Sequence, residues 1–183
     1  MGRLILLVGK TSSGKDTIAR YIKDVYGIDQ VVSYTTRPKR PSETNGVEHI
    51  FVTKEEMANI LTTQNVLAYT EFNNTQYCAT TQQLEGADKV YIIDPNGVGY
   101  LKEKGIPAVT IYVDLDESII IDRALKRGDN LDAVKTRLAD EQGQFNNFKS
   151  MQFYDYLICT DCNLEFVYSK VDAILSELGF SKI

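Results

Sequence analysis

The sequence predicts an α/β fold built on a mainly parallel sheet with helices over both faces. Three observations carry this. Short apolar runs of strand length recur along the 183 residues, helical periodicity separates them, and no Pro- or Ser-rich linker divides the chain. A chain of this length holds one domain and buries a full core without disulfides or metals.

Leu4-Ile5-Leu6-Leu7-Val8 reads as a buried strand, too short and too uniformly apolar for an amphipathic helix. A helix follows over about 14–26, with Ile18, Ile22 and Val25 on one face and Gly27 as its stop. Val31–Tyr34, Val90–Ile93, Val109–Val113 and Tyr156–Cys159 read as further core strands. Pro95 suits the first turn of a helix that ends at Gly105. Glu117 to Arg127 reads as a second intervening helix and Leu131 to about Phe148 as a third. The last runs from Leu164 through Val167, Val171, Ile174 and Leu175 to Leu178, keeping a helical period. One stretch breaks the rhythm. Between Ile50 and Thr80, β-like pieces (Ile50–Val52, Val66–Phe72, Tyr77–Thr80) surround a helix opened by the capping box Thr53-x-x-Glu56. That is a small mixed lobe inserted between the second and third core strands.

The net charge of −5 and the pI near 5.0 argue against nucleic acid or an acidic membrane as partner. Basic residues cluster locally, in the Arg-Pro-Lys-Arg of 37–40 and around Arg123, Arg127 and Arg137, which suits a small anionic ligand. Cys78, Cys159 and Cys162 make no disulfide framework. Cys159-x-x-Cys162 ends an apolar run instead of opening a helix and has no second pair for zinc, so the expectation is two packing thiols. The N-terminus enters a strand directly, without a signal peptide, and no apolar stretch approaches the ~20 residues of a membrane span, so a cytoplasmic setting is expected.

Gly9-Lys-Thr-Ser-Ser-Gly14-Lys15-Asp16-Thr17 lies between the first strand and the first helix. There, unpaired N–H groups and the helix dipole cradle phosphates while Lys15 reaches the β- and γ-oxygens. Asp16 stands where a hydroxyl usually follows the lysine. Thr17 supplies one a residue later, and both are Mg²⁺ candidates, directly or through water. Arg123 and Arg127 share a helix face, and Arg137 follows past Gly128-Asp129-Asn130. Taken alone they read equally as a salt-bridged solvent face; beside a phosphate loop they suit a lid over a phosphoryl group in transit. Arg37 and Arg40 can fork onto a second phosphate or stand as surface charges.

Ser33-Tyr-Thr-Thr-Arg37-Pro-Lys-Arg40-Pro-Ser-Glu43-Thr-Asn-Gly46-Val-Glu-His49-Ile-Phe51-Val resembles the guanylate kinases in the stretch that grips the nucleoside monophosphate. The likeness runs from about Leu4 to Ile174 and includes Asp94-Pro-Asn-Gly97 and Tyr154-Asp-Tyr-Leu-Ile-Cys-Thr160. It implies a three-layer P-loop kinase fold with a parallel core sheet (1–32, 81–126, 149–183), an acceptor lobe (about 33–80) and an arginine-bearing helical lid (about 127–148). It implies ATP-dependent phosphoryl transfer with Mg²⁺ to a monophosphate, in a monomer or homodimer. By the same resemblance Gly9, Ser12, Ser13, Gly14, Lys15, Asp16 and Thr17 hold the ATP phosphates, and Lys15, Arg123, Arg127 and Arg137 serve the transferring group. Ser33, Arg37, Arg40, Tyr77 and Asp94 match acceptor contacts, with His49 in the place of a tyrosine.

Departures from the pattern bear on the base. Ala68 stands where the guanine-reading glutamate is expected and Ala79 where an assisting hydroxyl is expected. A carboxylate there would make charged hydrogen bonds worth about 1.5–3 kcal/mol each. Glu71 lies an odd number of residues from 68, so only a slip or bulge would turn it to the same face. Thr160 replaces an asparagine near the adenine site. The chain also resembles the ribose 1,5-bisphosphate phosphokinases in its Gly-Lys-Asp-Thr loop, its His49-Ile50 pair and its lack of the base-reading glutamate. A third alternative is a protein-binding module on a guanylate kinase fold that has lost catalysis.

Overall fold

Five consecutive buried aliphatics make β1 (Leu4–Val8) the centre of a parallel sheet covered on both faces. The computed structural model describes residues 2–39, 43–72 and 74–183. In chain order its elements are β1, α1 (Lys15–Tyr26), β2 (Asp29–Gln30), β3 (Tyr34–Thr35), β4 (Ile50–Phe51), α2 (Lys54–Thr63), β5 (Val66–Phe72), β6 (Thr75–Thr80), β7 (Lys89–Ile92), α3 (Pro95–Glu103), β8 (Val109–Asp114), α4 (Glu117–Lys126), α5 (Leu131–Ser150), β9 (Tyr156–Cys159) and α6 (Leu164–Glu177). A single 3₁₀ turn at Thr81–Leu84 carries the chain from β6 towards β7.

The core sheet has the order β2-β7-β1-β8-β9, every pair parallel. Alternation along β1 divides the core. Leu4, Leu6 and Val8 pack with Tyr91, Leu101, Tyr112, Phe145 and Phe148 on the α3 and α5 side. Ile5 and Leu7 pack with Ile18, Ile22, Ile111, Val171 and Leu175 under α1 and α6. This three-layer arrangement puts the carboxyl ends of β1 and β8 at one edge, where ligands of such sheets bind.

The expected strand at Val31–Tyr34 is not one strand but the end of one and the start of another. Asp29–Gln30 pairs with Lys89–Val90, and the Val31 N–H still donates to the Val90 carbonyl at 2.7 Å. The chain then leaves the core sheet, and Tyr34–Thr35 joins the lobe's own sheet, of order β4-β3-β6-β5. A short strand-like run does not record the sheet to which each residue belongs. The Thr53–Glu56 capping box forms in both directions at α2, at 3.1 and 2.7 Å. In the β5–β6 hairpin a register shift lies between Val66 and Ala68, and pairing is regular from Ala68↔Ala79 to Phe72↔Thr75. Strict alternation therefore holds from 68 to 71. Glu71 lies opposite to Ala68, exposed, where it accepts a hydrogen bond from Tyr69 Oη.

Candidate active site

Backbone geometry dictates the phosphate loop. A Cβ at Gly9 would sit 2.3 Å from the Val113 carbonyl oxygen, so only glycine lets the loop pass over β8. Gly14, at φ 99°, turns the chain into α1 in the left-handed region. Lys15 folds back into the cradle, where its Nζ donates to the carbonyls of Gly9 at 2.6 Å and Lys10 at 2.7 Å. Burial of this ammonium lowers it to about 8. Asp16 and Glu141 offset part of that effect, while Arg137 and Arg127 add to it. Charges from the loop, from the C-cap of α4 and from α5 thus all act on Lys15. Ser12 Oγ is buried there without a protein partner.

Arg123 does more than face solvent. Its guanidinium donates to the Thr160 carbonyl and approaches Thr160 Oγ1 at 3.5 Å, and Thr160 Oγ1 donates to the Ser13 carbonyl at 2.7 Å. Thr160 is buried, and its N–H holds the Asp114 carbonyl at 3.1 Å. One residue at the end of β9 therefore clasps the phosphate loop, β8 and a lid arginine. The sequence marked Thr160 only as a departure; its clasping role comes from strand order, which places β9 two strands from β1. Arg127 is exposed and paired with Asp129. Arg137 donates to Glu141 at 2.7 Å, and Glu141 is buried with its Oε2 unpartnered. Glu141 was missed because an acid four residues after an arginine reads as an ordinary exposed helix pair.

Within electrostatic reach of Asp16 in the loop, the lobe gathers Ser33, Arg37, His49 and Tyr77. Ser33 Oγ lies 3.1 Å from His49 Nδ1, and the His49 ring meets Tyr77 edge-on at 5.9 Å. Arg37 forks onto Glu43 at 2.9 and 2.6 Å and lies 5.5 Å from the Phe51 ring. Burial works against the Arg37 charge, but Glu43 and Tyr77 more than offset it, and the guanidinium titrates above its ordinary value. His49 is pushed down by burial and by Arg37, which keeps its imidazole neutral. Arg40 lies outside the described residues. Asp94 caps α3 by accepting from the Gly97 N–H at 2.7 Å, and its other oxygen accepts from Thr70 Oγ1 at 2.7 Å. Thr70 shares the face of Ala68, and both Ala68 and Ala79 are buried against the core, at 2% and 0% exposure. A separate cavity of about 660 Å³, lined by Leu61, Gln64, Val66, Tyr69, Tyr100 and Lys104 among others, contains none of these groups.

Among the described residues no group of three or more His, Cys, Asp or Glu converges on a metal position. Asp16 is exposed on the first turn of α1, with Thr17 half-buried beside it. Among the described residues no helix is long and apolar enough to cross a membrane. The expectation that Cys159 and Cys162 are packing thiols fails, whereas Cys78 is buried. Cys159 and Cys162 are both exposed, because β9 is the edge strand and the following bend faces solvent. Cys162 also directly precedes Asn163, the N-cap of α6, so the pair does lead into a helix.

A glycine-bounded loop at the carboxyl end of a parallel sheet, with arginines acting on its buried lysine and a lobe bearing Arg37, His49 and Tyr77 within electrostatic reach, has the layout of a P-loop phosphotransferase. A family model described as guanylate kinase matches residues 1–178. Curated relatives include the guanylate kinase of Symbiobacterium thermophilum, 32% identical over 168 residues and covering 87% of this chain and 78% of that protein. That of Desulfotalea psychrophila is 31% identical over 169 residues, covering 87% and 82%. The crystal structure of guanylate kinase from Anaplasma phagocytophilum superposes with a TM-score of 0.70 at 20% identity, over 96% of this chain and 86% of that one. The chain belongs to the guanylate kinase family and is an ATP-dependent kinase with the P-loop kinase fold.

Proposed function

We propose that the chain transfers the γ-phosphoryl group of MgATP to the phosphate of a nucleoside monophosphate, gripping the acceptor as a GMP-type substrate but without a carboxylate at 68 to read guanine. One observation carries this: the loop that buries Lys15 lies within electrostatic reach, through Asp16 and His49, of a second cluster, Arg37, His49, Tyr77 and Ser33, of the kind that binds an acceptor phosphate. Lys15 holds the donor phosphates, and incoming phosphate oxygens take over the ammonium from the carbonyls of Gly9 and Lys10. Arg123, Arg127 and Arg137 offset the charge that develops on the transferring group, and the lid over 127–148 excludes water. Arg37, with Arg40 by its place in the sequence, holds the acceptor phosphate while Tyr77 and neutral His49 donate hydrogen bonds. No general base is required, because the acceptor phosphate is already anionic and catalysis rests on positioning and electrostatics.

The residues fit Mg²⁺, which takes one or two protein oxygens and otherwise relies on substrate phosphates. Asp16 and Thr17, on the first turn of α1, would hold it, and the buried Ser12 hydroxyl in the same loop has no protein partner to compete with phosphate. When bound, the ion neutralises phosphate charge.

A second reading, a phosphosugar acceptor such as ribose 1,5-bisphosphate, is favoured by the base-reading face itself. Ala68 and Ala79 are buried in the core, and Asp94 is engaged by Gly97 and Thr70. The binding-module alternative is disfavoured by an intact loop lysine, and stabilisation by MgATP separates it from both kinase readings. A coupled ADP-release screen over GMP, dGMP, AMP, CMP, UMP, dTMP and ribose 1,5-bisphosphate decides the acceptor. The expected result is turnover of nucleoside monophosphates with weak discrimination between bases. Strong selectivity for GMP would show that guanine is read without a carboxylate at 68, and turnover of the sugar phosphate alone would favour the second reading.

A further inference from the structure

Two exposed thiols flank the residue that clasps the phosphate loop. Cys162 Sγ lies 3.7 Å from the Cys159 carbonyl oxygen, so the bend over 161–162 already turns the second sulfur back onto the first cysteine's peptide group. Between them lies Thr160, bonded to the Ser13 carbonyl, to the Asp114 carbonyl and to Arg123. Cys78 is buried in the lobe and takes no part.

We propose that Cys159 and Cys162 form a reversible disulfide that switches the donor-phosphate site through Thr160. Closure asks for rotation of the exposed Cys159 side chain and a tighter path for the backbone between the two cysteines, because the bond fixes both the distance and the direction of the Cβ atoms. Thr160 lies on that path and has no slack, since its amide, hydroxyl and carbonyl are all engaged. The contact that yields is the one to Arg123, whose long side chain is the mobile partner, while the other two join strand and loop backbone. Oxidation thus releases a lid arginine from the phosphate loop and loosens the hold on the triphosphate.

The oxidant is a small-molecule disulfide, RSSR. The exposed Cys162 thiolate attacks one of its sulfurs, forms a mixed disulfide and expels RS⁻. The Cys159 thiolate then attacks the Cys162 sulfur, forms the intramolecular bond and expels the second RS⁻. The two thiol protons pass to the released thiolates, so the protein loses two electrons and two protons while RSSR becomes two RSH. Partial burial, and then the carboxylates of Asp114 and Asp161, push the Cys159 thiol up. Cys159 therefore suits the second step, where proximity to the mixed disulfide compensates for a small thiolate fraction.

The effect rests on the reading that residues 9–17 hold the ATP phosphates, so the test separates the bond from its consequence. The whole chain is equilibrated with excess oxidised glutathione or with dithiothreitol, its intact mass is measured, and MgATP affinity is determined by calorimetry in each state. Oxidation is expected to remove about 2 Da and to weaken MgATP binding about 10-fold, the scale of one charge-assisted hydrogen bond. Dithiothreitol restores both, and the double variant Cys159→Ser/Cys162→Ser keeps the reduced-state affinity under oxidant. A stable glutathione adduct without loss of two hydrogens would overturn the switch, as would disulfide formation with unchanged MgATP affinity or equal weakening in the double variant. Failure of the reduced protein to bind MgATP would instead refute the donor-site assignment, and with it the coupling, while the mass still reports the bond.

Discussion

Replacing Lys15 by methionine separates what the lysine does for the nucleotide from what it costs the empty protein. In the free chain the ammonium is buried against two loop carbonyls, and burial takes it from 10.5 to about 8. At about 1.4 kcal/mol per pH unit, keeping that charge at neutral pH costs about 3 kcal/mol. Methionine fills similar volume without the charge. It forfeits two hydrogen bonds to carbonyls at the cleft, which returns about 1–2 kcal/mol. The net gain for the empty protein is about 1–2 kcal/mol, or roughly 2–8 °C in Tm for a chain of this size. The pH dependence carries the sign. Because the folded value lies below the unfolded one, the unfolded chain holds more protons between about pH 8 and 10.5, and wild-type stability rises across that window. Below pH 8 the penalty is fully present, so the advantage of Lys15→Met is largest there and shrinks as pH climbs. Thermal melts of both proteins at pH 7 and 9.5, with a coupled kinase assay, read this out. The variant is expected to melt higher, lose turnover by orders of magnitude and lose its stabilisation by MgATP. A variant that melts lower than wild type at pH 7, or still turns over, refutes the reasoning.

Three other outcomes follow from the same geometry. The single histidine, His49, should titrate below its ordinary 6.5 by NMR and rise when a phosphate acceptor binds; until then, acid through that window favours the unfolded chain, and a free-imidazole value would contradict its burial. Arg137→Ala leaves the buried Glu141 carboxylate unpaired and should cost about 1–3 kcal/mol in denaturant unfolding, most of it recovered by adding Glu141→Gln; simple additivity would refute the pairing. Thr70→Val frees one oxygen of Asp94 while leaving its cap on α3, so steady-state kinetics should show a several-fold change in acceptor KM with ATP KM unchanged, and equal movement of both would argue against a role at the acceptor.

The order of strands and helices was legible because the core runs are short, mostly apolar and punctuated by glycines and caps. The phosphate loop was legible for a local reason: its function needs a strand, a glycine turn and a helix in immediate succession. What stayed hidden depends on residues distant in sequence. Val31–Tyr34 is one short run that leaves the core sheet at Val31 and joins the lobe sheet at Tyr34. Thr160 reaches Ser13 across 147 residues, and the exposure of Cys159 follows from β9 lying at the sheet edge. Glu141 had the spacing of a surface pair, and only packing in the lid buries it. The question left open for Glu71, whether a bulge could turn it towards the base, has a structural answer, since the register shift comes before Ala68 and not after it.

Following the phosphoryl group itself shows whether the chain is a nucleoside monophosphate kinase. The protein is incubated with γ-labelled ATP, Mg²⁺ and each nucleoside monophosphate, and the products are separated. The expected result is label on the terminal phosphate of a nucleoside diphosphate, at a rate that collapses in Arg37→Ala. Label that stays in ATP, or appears only as inorganic phosphate with every monophosphate offered, would contradict it.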